Sequence, residues 1–375
     1  GIWLAREGID KTTVGLFSAV TLPYTLKFIW SPVLDRVPIP IITNIIGQRR
    51  SWALVSQVSL AVAISAMGFT NPTETPTLMA IFALLVSLCS ASQDIVIDAY
   101  RVELLEEEKI GAGASTVVLG YRIGLLISGA GALYLAEELN WDIVYFVMAA
   151  LMLIGFLTIL FSREPNKENS EEILLDEKRT HNYLKARPHL TGGRALLVIW
   201  FHSAVIGPFV EFMTRPQWLI ILLFIVFYKL GDSMAGVMTG YFMVELGFSN
   251  SEIAYVGKVF GFVATMLGFA IGGWIIVQLG MLWALWICGC VQMFSNLMFV
   301  IQALVGYDTQ MLALVVGVEN LAGGMGTAAL VAYLSGLCNL AYTATQYALL
   351  ASIGTAGRTT LASSSGALVD WLNGD

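Results

Sequence analysis

The chain has 375 residues, of which 57% are hydrophobic and 13% are charged. Soluble domains carry roughly 25% charged residues and a smaller apolar share, so a water-soluble fold of this size could not cover its apolar surface. The net charge of −7 comes without a basic surface of the kind that binds nucleic acid. The four cysteines lie in or beside apolar blocks without metal-ligand spacing, so neither a metal site nor another cofactor is expected.

Apolar residues form repeated blocks close to the ~20 residues that a helix needs to cross a bilayer. Blocks this long are helices, because barrel strands are shorter and alternate strictly between apolar and polar residues. The chain opens in mid-pattern at Gly1–Leu4, and we expect that its first span and its last are missing. The ten predicted spans lie at 12–34, 51–69, 77–100, 112–135, 143–161, 217–241, 253–277, 281–304, 309–335 and 338–366.

The longest polar stretch, 163–194, divides the predicted spans into five before it and five after it. Equal division around a charged linker is typical of transporters built from two related helical halves. If one missing span is restored at each end, each half has six spans. We therefore predict an all-α protein with an N-terminal half at 1–162, a linker at 163–216 and a C-terminal half at 217–375. Within the linker, the apolar segment 195–213 predicts an interfacial or re-entrant helix, because it carries His202, Pro208 and Glu211.

Lysine and arginine are distributed unequally between the two sides of the predicted membrane. Thirteen lie in loops on the side of the linker, eight of them between 163 and 215, whereas Arg6 and Lys11 lie on the other side. Because loops rich in Lys and Arg remain in the cytoplasm, the linker side is predicted to be cytoplasmic. We call it the basic-loop side.

The first informative loop places Asp35-Arg36 at the end of one predicted helix and Arg49-Arg50 at the start of the next. It resembles the loop between the second and third helices of the major facilitator superfamily, where charge pairs help to hold the cytoplasmic gate. The corresponding second-half loop keeps Gly272-Gly273 but lacks the charges. The predicted gate residues are Asp35, Arg36, Arg49, Arg50 and Arg101.

The helix ending in ASQDIVIDAYR places Asp94, Asp98 and Arg101 on one face, by their spacing of four and three. A carboxylate at membrane depth is costly unless it borders water or a partner, so an intramembrane Asp is a functional candidate. The alternative is a helix-end ion pair with Arg36 or Arg101.

Further motifs follow that helix along nearly the whole chain, in the order GAGAS, LGYRIG, YKLGDSMA, ENLAGGMGTAALVAYLSGLCN and TATQYALL. In this order they resemble the AmpG family of bacterial anhydromuropeptide permeases. The resemblance implies the major facilitator fold and a secondary transporter of the bacterial inner membrane, without cofactors. It would import N-acetylglucosaminyl-anhydro-N-acetylmuramic acid, with or without its peptide, by proton symport for cell-wall recycling.

Charged and polar residues deep in the later spans complete the candidate site. Arg122 suits the lactyl or peptide carboxylates of such a solute, and an ion pair with Asp94 is the alternative. Lys229 and Asp232, three apart, fit a structural pair and a coupling pair equally. Glu319 has no basic neighbour in sequence, and the glycines at 323–326 let helices or a sugar approach the backbone. The predicted proton-coupling residues are Asp94, Asp98, Asp232 and Glu319; the predicted substrate-binding residues are Lys27, Gln93, Tyr121, Arg122, Lys229, Asn320 and Gln346.

The expected partners are the muropeptide solute, protons and the lipid bilayer, with the chain a monomer. No ATP-binding loop of the Gly-x-x-x-x-Gly-Lys-Ser/Thr form occurs, so an ion gradient is the expected energy source. Three alternatives stay open: the related acetyl-coenzyme A carriers, a membrane enzyme acting on lipid-linked sugars, and a sensor that binds a partner through the acidic linker. Thermal stabilisation by coenzyme A would favour the carriers, and product formation without a gradient would favour the enzyme. Unaffected transport after deletion of 166–190 would leave that stretch as a linker and not a partner-binding segment.

Overall fold

The computed structural model describes residues 20–71, 73–106, 109–165, 202–249, 252–253, 255–362 and 364. Within these ranges every regular element is a helix, which confirms the all-α prediction. Up to residue 165 the α-helices are α1 (Leu22–Leu26), α2 (Ser31–Arg36), α3 (Ile42–Ile46), α4 (Gln48–Gly68), α5 (Pro76–Leu104), α6 (Ile110–Leu126), α7 (Ala132–Glu138) and α8 (Trp141–Phe161). After residue 201 they are α9 (Gly207–Met213), α10 (Trp218–Phe227), α11 (Leu230–Glu245), α12 (Gly261–Leu279), α13 (Met281–Asn296), α14 (Met298–Val305), α15 (Thr309–Gly336) and α16 (Thr343–Ala362). Short 3₁₀ segments (Lys27–Ile29, Leu340–Tyr342) and π segments (Ile127–Gly131, His202–Ile206, Tyr255–Phe260) join some of them.

Eight helices of the described chain are long and apolar enough to cross a membrane. They correspond to eight of the ten predicted spans, with ends that differ by at most five residues except at Gly261, which lies eight residues after the predicted start at 253. They are Gln48–Gly68, Pro76–Leu104, Ile110–Glu138, Trp141–Phe161, Trp218–Gly236, Gly261–Leu279, Met281–Val305 and Thr309–Gly336.

The predicted spans 12–34 and 338–366 are not among the eight. From residue 20 onward the first consists of α1, a 3₁₀ turn and α2, and each α-helix restarts at a proline, Pro23 or Pro32. Proline cannot donate the backbone hydrogen bond of a helix interior, so an unbroken helix does not form there. The second begins with the 3₁₀ turn Leu340–Tyr342 and continues as α16.

The chain divides into two compact units, each assembled from several stretches of sequence. The first comprises Gly1–Leu104, Ile123–Arg215 and Cys338–Ser352; the second comprises Leu105–Arg122, Pro216–Leu337 and Ile353–Asp375. The predicted half boundaries stay a prediction, and residues 166–201 of the predicted linker lie outside the described residues.

In the first unit, α4 packs between α5 and α8. Leu54, Ile95 and Val96 are buried at this contact, and Ala344 and Ala348 of α16 join the same core. The segment 195–213 is described from residue 202, where a π turn leads into α9. Its predicted helix is therefore present from that point, and its depth in the membrane stays a prediction.

In the second unit, α12 and α15 approach closely along their length. A Cβ added at Gly268 would lie 2.1 Å from the carbonyl oxygen of Leu321, and one at Gly324 would lie 2.5 Å from that of Thr265. Both positions require glycine, because real Cβ atoms essentially never approach another heavy atom this closely. Gly324 thus serves helix packing, the first of the two roles considered for the glycines at 323–326.

Candidate functional site

Two of the predicted gate residues, Asp35 and Arg49, form a buried charge cluster with Glu103 in the first unit. Its guanidinium contacts Asp35 Oδ1 at 2.5 Å and Glu103 Oε1 at 2.6 Å, and its Nε donates to both oxygens of Glu103. The side chains of Arg49, Asp35 and Glu103 are 3%, 2% and 0% exposed. Glu103 was not predicted, because it begins the acidic run at the end of α5 and looks like an ordinary solvated helix end.

The second carboxylate oxygen of Asp35 reaches the first turn of α16. It accepts hydrogen bonds from the backbone nitrogen of Thr345 at 3.2 Å and from its hydroxyl at 3.1 Å. A carboxylate is favourable there, because the first turn of a helix has unpaired N–H groups and a partial positive charge. Nearby, the guanidinium of Arg36 lies 5.1 Å from the centre of the Tyr342 ring. Asp35 therefore joins α2 to α16.

Glu164 fixes the start of α4. Its two carboxylate oxygens accept hydrogen bonds from the backbone nitrogens of Arg49 and Arg50, at 2.7 and 3.1 Å. It fills the space beside Gly47, whose φ of 92° favours glycine. The Arg50 side chain donates to carbonyl oxygens at the end of α8, among them that of Ile159 at 3.0 Å. Arg50 is thus a clamp between α4 and α8.

Arg101 connects α5 with α16. Its guanidinium bonds to Asp98 at 3.2 Å and to the Tyr347 hydroxyl at 3.1 Å, and it lies 5.5 Å from the Tyr347 ring centre. Asp98 thus makes the helix-end pair with Arg101 that was considered as its alternative role. A coupling role for Asp98 stays a prediction.

Asp94 pairs directly with Lys27, which lies in the 3₁₀ turn between α1 and α2. The Lys27 side chain is 8% exposed and that of Asp94 is 45% exposed, so the carboxylate has an open side. Gln93, next to it, has a buried Oε1 without a hydrogen-bond partner among the described residues. The structure therefore gives Asp94 a lysine from another segment as its partner.

The second unit has its own polar cluster, centred on Lys229. The ammonium donates to Asp232 Oδ2 at 2.9 Å, to the Gly323 carbonyl oxygen at 3.0 Å and to Gln292 Oε1 at 3.1 Å. These acceptors come from α11, α15 and α13, and they use all three ammonium hydrogens. Gln292, a buried polar residue in an apolar helix, was not predicted.

Glu319 lies beside this cluster on α15. Its Oε2 accepts a hydrogen bond from Asn320 Nδ2 at 2.9 Å, and Asn320 is held in turn by the Val316 carbonyl and the Thr265 hydroxyl. Among the described residues, no lysine or arginine forms an ion pair with Glu319. It differs in this respect from the other three predicted proton-coupling carboxylates, Asp94, Asp98 and Asp232, which all have a cation.

Arg122, on α6, lies in the second unit with its guanidinium 6.0 Å from the centre of the Phe269 ring. Its Nε is buried and has no hydrogen-bond partner within the described chain. The neighbouring Tyr121 is 66% exposed. Both side chains keep the capacity to contact a further molecule.

Gln346, predicted to bind substrate, is completely buried in the first unit. Its Oε1 accepts from the backbone nitrogen of Asn339 at 2.8 Å, and its Nε2 donates to the Pro208 carbonyl and to Glu211. Glu211 also pairs with Arg215 at 2.8 Å. The Gln346 amide thus fastens α16 to α9 here, and its contact with a solute stays a prediction.

Comparisons with known proteins match nearly the whole chain. A family model described as Major Facilitator Superfamily matches residues 2–372. The anhydromuropeptide permease of Escherichia coli K12 is 38% identical over 358 residues, which cover 95% of this chain and 67% of that protein. The putative transporter AmpG 4 of Rickettsia conorii is 33% identical over 100% of this chain and 86% of its own length.

Two solved structures share the fold at low sequence identity. The proton:xylose symporter XylE, bound to 6-bromo-6-deoxy-D-glucose, has a TM-score of 0.59 at 13% identity and covers 98% of this chain and 81% of its own. The E. coli fucose:proton symporter FucP has a TM-score of 0.61 at 11% identity, with coverages of 97% and 90%. At these identities the likeness concerns the fold alone.

Proposed function

We propose a function from one premise: the chain belongs to the major facilitator superfamily and, within it, to the anhydromuropeptide permeases. It is therefore a multi-pass membrane transporter and not an enzyme. Its solute is a disaccharide of N-acetylglucosamine and anhydro-N-acetylmuramic acid, with or without the peptide. It carries this solute with protons from periplasm to cytoplasm across the inner membrane, with the linker on the cytoplasmic side.

The observation that carries the proposed solute is the 38% identity with a named anhydromuropeptide permease over 95% of this chain. The match is not confined to one half or one motif. Solute sites of such transporters lie between the two halves, so contributions from both are needed. The extent of the match supports a shared solute class.

The charges at membrane depth support proton coupling. Lys27, Arg101 and Lys229 neutralise Asp94, Asp98 and Asp232 respectively. Glu319 has an amide donor and, in the described part of the chain, no ion-pair partner. A half-buried carboxylate at membrane depth is costly as a lone charge, so a bound proton is the remaining means of neutralising it. Glu319 is therefore the leading proton carrier, and Asp94, with its open side, is the second.

Arg122 is the leading ligand for the carboxylates of the solute. Its guanidinium makes no hydrogen bond within the described chain, and its planar group can hold a carboxylate with two parallel hydrogen bonds. The exposed ring of Tyr121, one residue away, offers a face on which a pyranose can stack. Lys229 has no donor left for a solute in this structure.

The cytoplasmic gate is assigned to the Arg49 cluster and its contact with α16. Asp35 accepts two hydrogen bonds from Thr345, and Arg101 donates one to Tyr347. Both contacts join early helices to α16 at the basic-loop side. Separation of α16 from these side chains would open a path there.

The test is uptake of labelled disaccharide into proteoliposomes under an imposed proton gradient. Glu319→Gln and Asp94→Asn should each reduce gradient-driven accumulation by about 5- to 150-fold, the usual range of a coupling between two ligands, while solute counterflow continues. Glu106→Gln is the matched control, because Glu106 is an exposed carboxylate at the surface, paired with Lys109. Full accumulation by both variants would remove these residues from the mechanism. Counterflow of acetyl-coenzyme A and not of the disaccharide would favour the related carrier family.

A further inference from the structure

The predicted span 217–241 is interrupted at Tyr228 and Lys229. Helix α10 ends at Phe227 and α11 begins at Leu230. At this break the carbonyl oxygen of Tyr228 accepts a hydrogen bond from Gln292 Nε2 at 3.1 Å. A backbone carbonyl freed from a helix at membrane depth needs such a partner, since hydrocarbon offers none.

The same Gln292 also holds the side chain that follows the break. Its Oε1 accepts a hydrogen bond from the Lys229 ammonium at 3.1 Å. Gln292 is 4% exposed, so water cannot replace it in either bond. One amide of α13 thus binds both the backbone and the cation at the interruption.

Helix α15 has glycines where it faces Gln292 and Asp232, and these leave room for both side chains. A Cβ added at Gly326 would lie 2.0 Å from Gln292 Oε1, and one at Gly323 would lie 3.3 Å from Asp232 Oδ2. The nearer distance excludes any side chain at Gly326 while Gln292 keeps its position. These two glycines therefore face the polar cluster, unlike Gly324, which packs against α12.

The charge on Lys229 acts on more than Asp232. Glu319 lies one helical turn before Gly323, whose carbonyl oxygen accepts a hydrogen bond from Lys229, and within the described chain Glu319 and Lys229 do not form an ion pair. If Lys229 lost one of its three acceptors, its ammonium would be available to Glu319. A lysine paired with Glu319 would supply the positive charge that a proton otherwise supplies.

We propose that Gln292 is a positioning residue for proton coupling: it closes the helix break and holds the Lys229 ammonium on Asp232, away from Glu319. This inference rests on the proposed function for the role of Glu319. The two hydrogen bonds themselves are testable without any transport.

The first experiment measures the reactivity of Lys229 in purified, solute-free protein. Reductive methylation with formaldehyde and a borane reductant, read by peptide mass spectrometry, reports how tightly each lysine is held. Gln292→Met keeps the side-chain size and removes both bonds, and Gly326→Ala displaces the amide. Both should raise Lys229 methylation by about 10- to 100-fold, the equivalent of one lost hydrogen bond to a charged group.

Two matched variants control for general loosening. Gln57→Met changes a buried glutamine of α4 that makes no hydrogen bond within the described chain, and Gly336→Ala changes a glycine of α15 with no atom within 4 Å of an added Cβ. Both should leave Lys229 methylation unchanged. Equal methylation in all four variants would overturn the proposal.

Gln292→Glu separates the two bonds. Its carboxylate still accepts from Lys229 but cannot donate to the Tyr228 carbonyl, so Lys229 should stay unreactive while amide hydrogen exchange across 228–233 rises. If exchange across 228–233 equals that of the unaltered protein, Gln292 does not close the break.

Transport then tests the consequence. Gln292→Met should lower gradient-driven accumulation by about tenfold or more while disaccharide counterflow and its half-saturation stay within about twofold. Accumulation equal to that of Gln57→Met, together with raised Lys229 methylation, would show that the bonds exist without a role in coupling, and would overturn the proposal. If the unaltered protein itself carried no disaccharide, the proposed function would fail, and the methylation result would still stand.

Discussion

Replacement of Arg49 by methionine is the sharpest test of the charge cluster in the first unit. The change removes the cation that lies between Asp35 and Glu103 and keeps a long side chain in its place. Both carboxylates are at most 2% exposed at their side chains, so water cannot replace the guanidinium. Two buried negative charges would then lose the cation that lies between them.

The expected loss follows from the contacts of Arg49. Breaking a buried ion pair by removing one partner costs about 3–5 kcal/mol, because the charge left behind stays desolvated. Arg49→Lys keeps the positive charge but loses the two-nitrogen contact with Glu103, so a smaller loss of about 1.5–3 kcal/mol is expected. The order of stability is therefore unaltered protein, Arg49→Lys, Arg49→Met.

The assay is unfolding in mixed micelles of increasing SDS fraction, followed by tryptophan fluorescence. Trp52 is a suitable reporter, because its Nε1 donates to the Val37 carbonyl at 2.8 Å and its ring packs against the core of the first unit. Neutralising the carboxylates should rescue the variant: Arg49→Met combined with Glu103→Gln should recover part of the loss. If Arg49→Met unfolds at the same SDS fraction as the unaltered protein, the reasoning about buried charge is wrong.

Two further outcomes are expected. Glu252 accepts hydrogen bonds from Ser249, Tyr307 and Thr309, and these bonds to its charged form lower its pKa from 4.5 to about 2. A lowered folded-state pKa contributes stability that is fully present above pH 4.5 and is lost as the pH falls towards 2. The difference in thermal stability between the unaltered protein and Glu252→Gln should therefore be constant from pH 5 to 8 and shrink below pH 4. A change in this difference near pH 7 would contradict the argument. At Gly111 an added Cβ would lie 2.6 Å from Ile276, a stiff branched side chain, so Gly111→Ala should destabilise the protein by about 1–3 kcal/mol in the SDS assay. Gly120→Ala on the same helix meets no atom within 4 Å and should have no such cost; equal losses would refute the packing argument.

Local interactions along one helix could be predicted from the sequence. Eight spans follow from apolar length, and the pairs Asp98–Arg101 and Lys229–Asp232 follow from a spacing of three. These features depend on helix geometry alone. The break in the predicted span 12–34 had a visible signal in Pro23 and Pro32, which hydropathy does not register.

Partners from distant segments could not be predicted, because helix periodicity does not say which helices are neighbours. Lys27 and Asp94 are 67 residues apart, Lys229 and Gln292 are 63 apart, and Asp35 and Thr345 are 310 apart. Gln292 did carry one signal, since it is a glutamine that follows eleven residues with apolar or small side chains in its predicted span. A buried amide requires a partner, and the partner is found only in the fold.

The geometry of each ion pair bears on which carboxylate can exchange a proton during transport. In Asp98–Arg101 and in Lys229–Asp232 the two residues lie three apart on one continuous stretch of chain, so movement of that stretch carries the cation with the carboxylate. Lys27 and Asp94 belong to separate segments, a 3₁₀ turn and α5, and movement of one segment against the other would separate them. Under the proposed proton coupling, Asp94 would then need a proton in place of its lysine, which is the role proposed for the proton at Glu319. Neutralisation that alternates between lysine and proton would therefore be possible at Asp94, and for this reason we propose Asp94 ahead of Asp98 and Asp232 as a coupling residue.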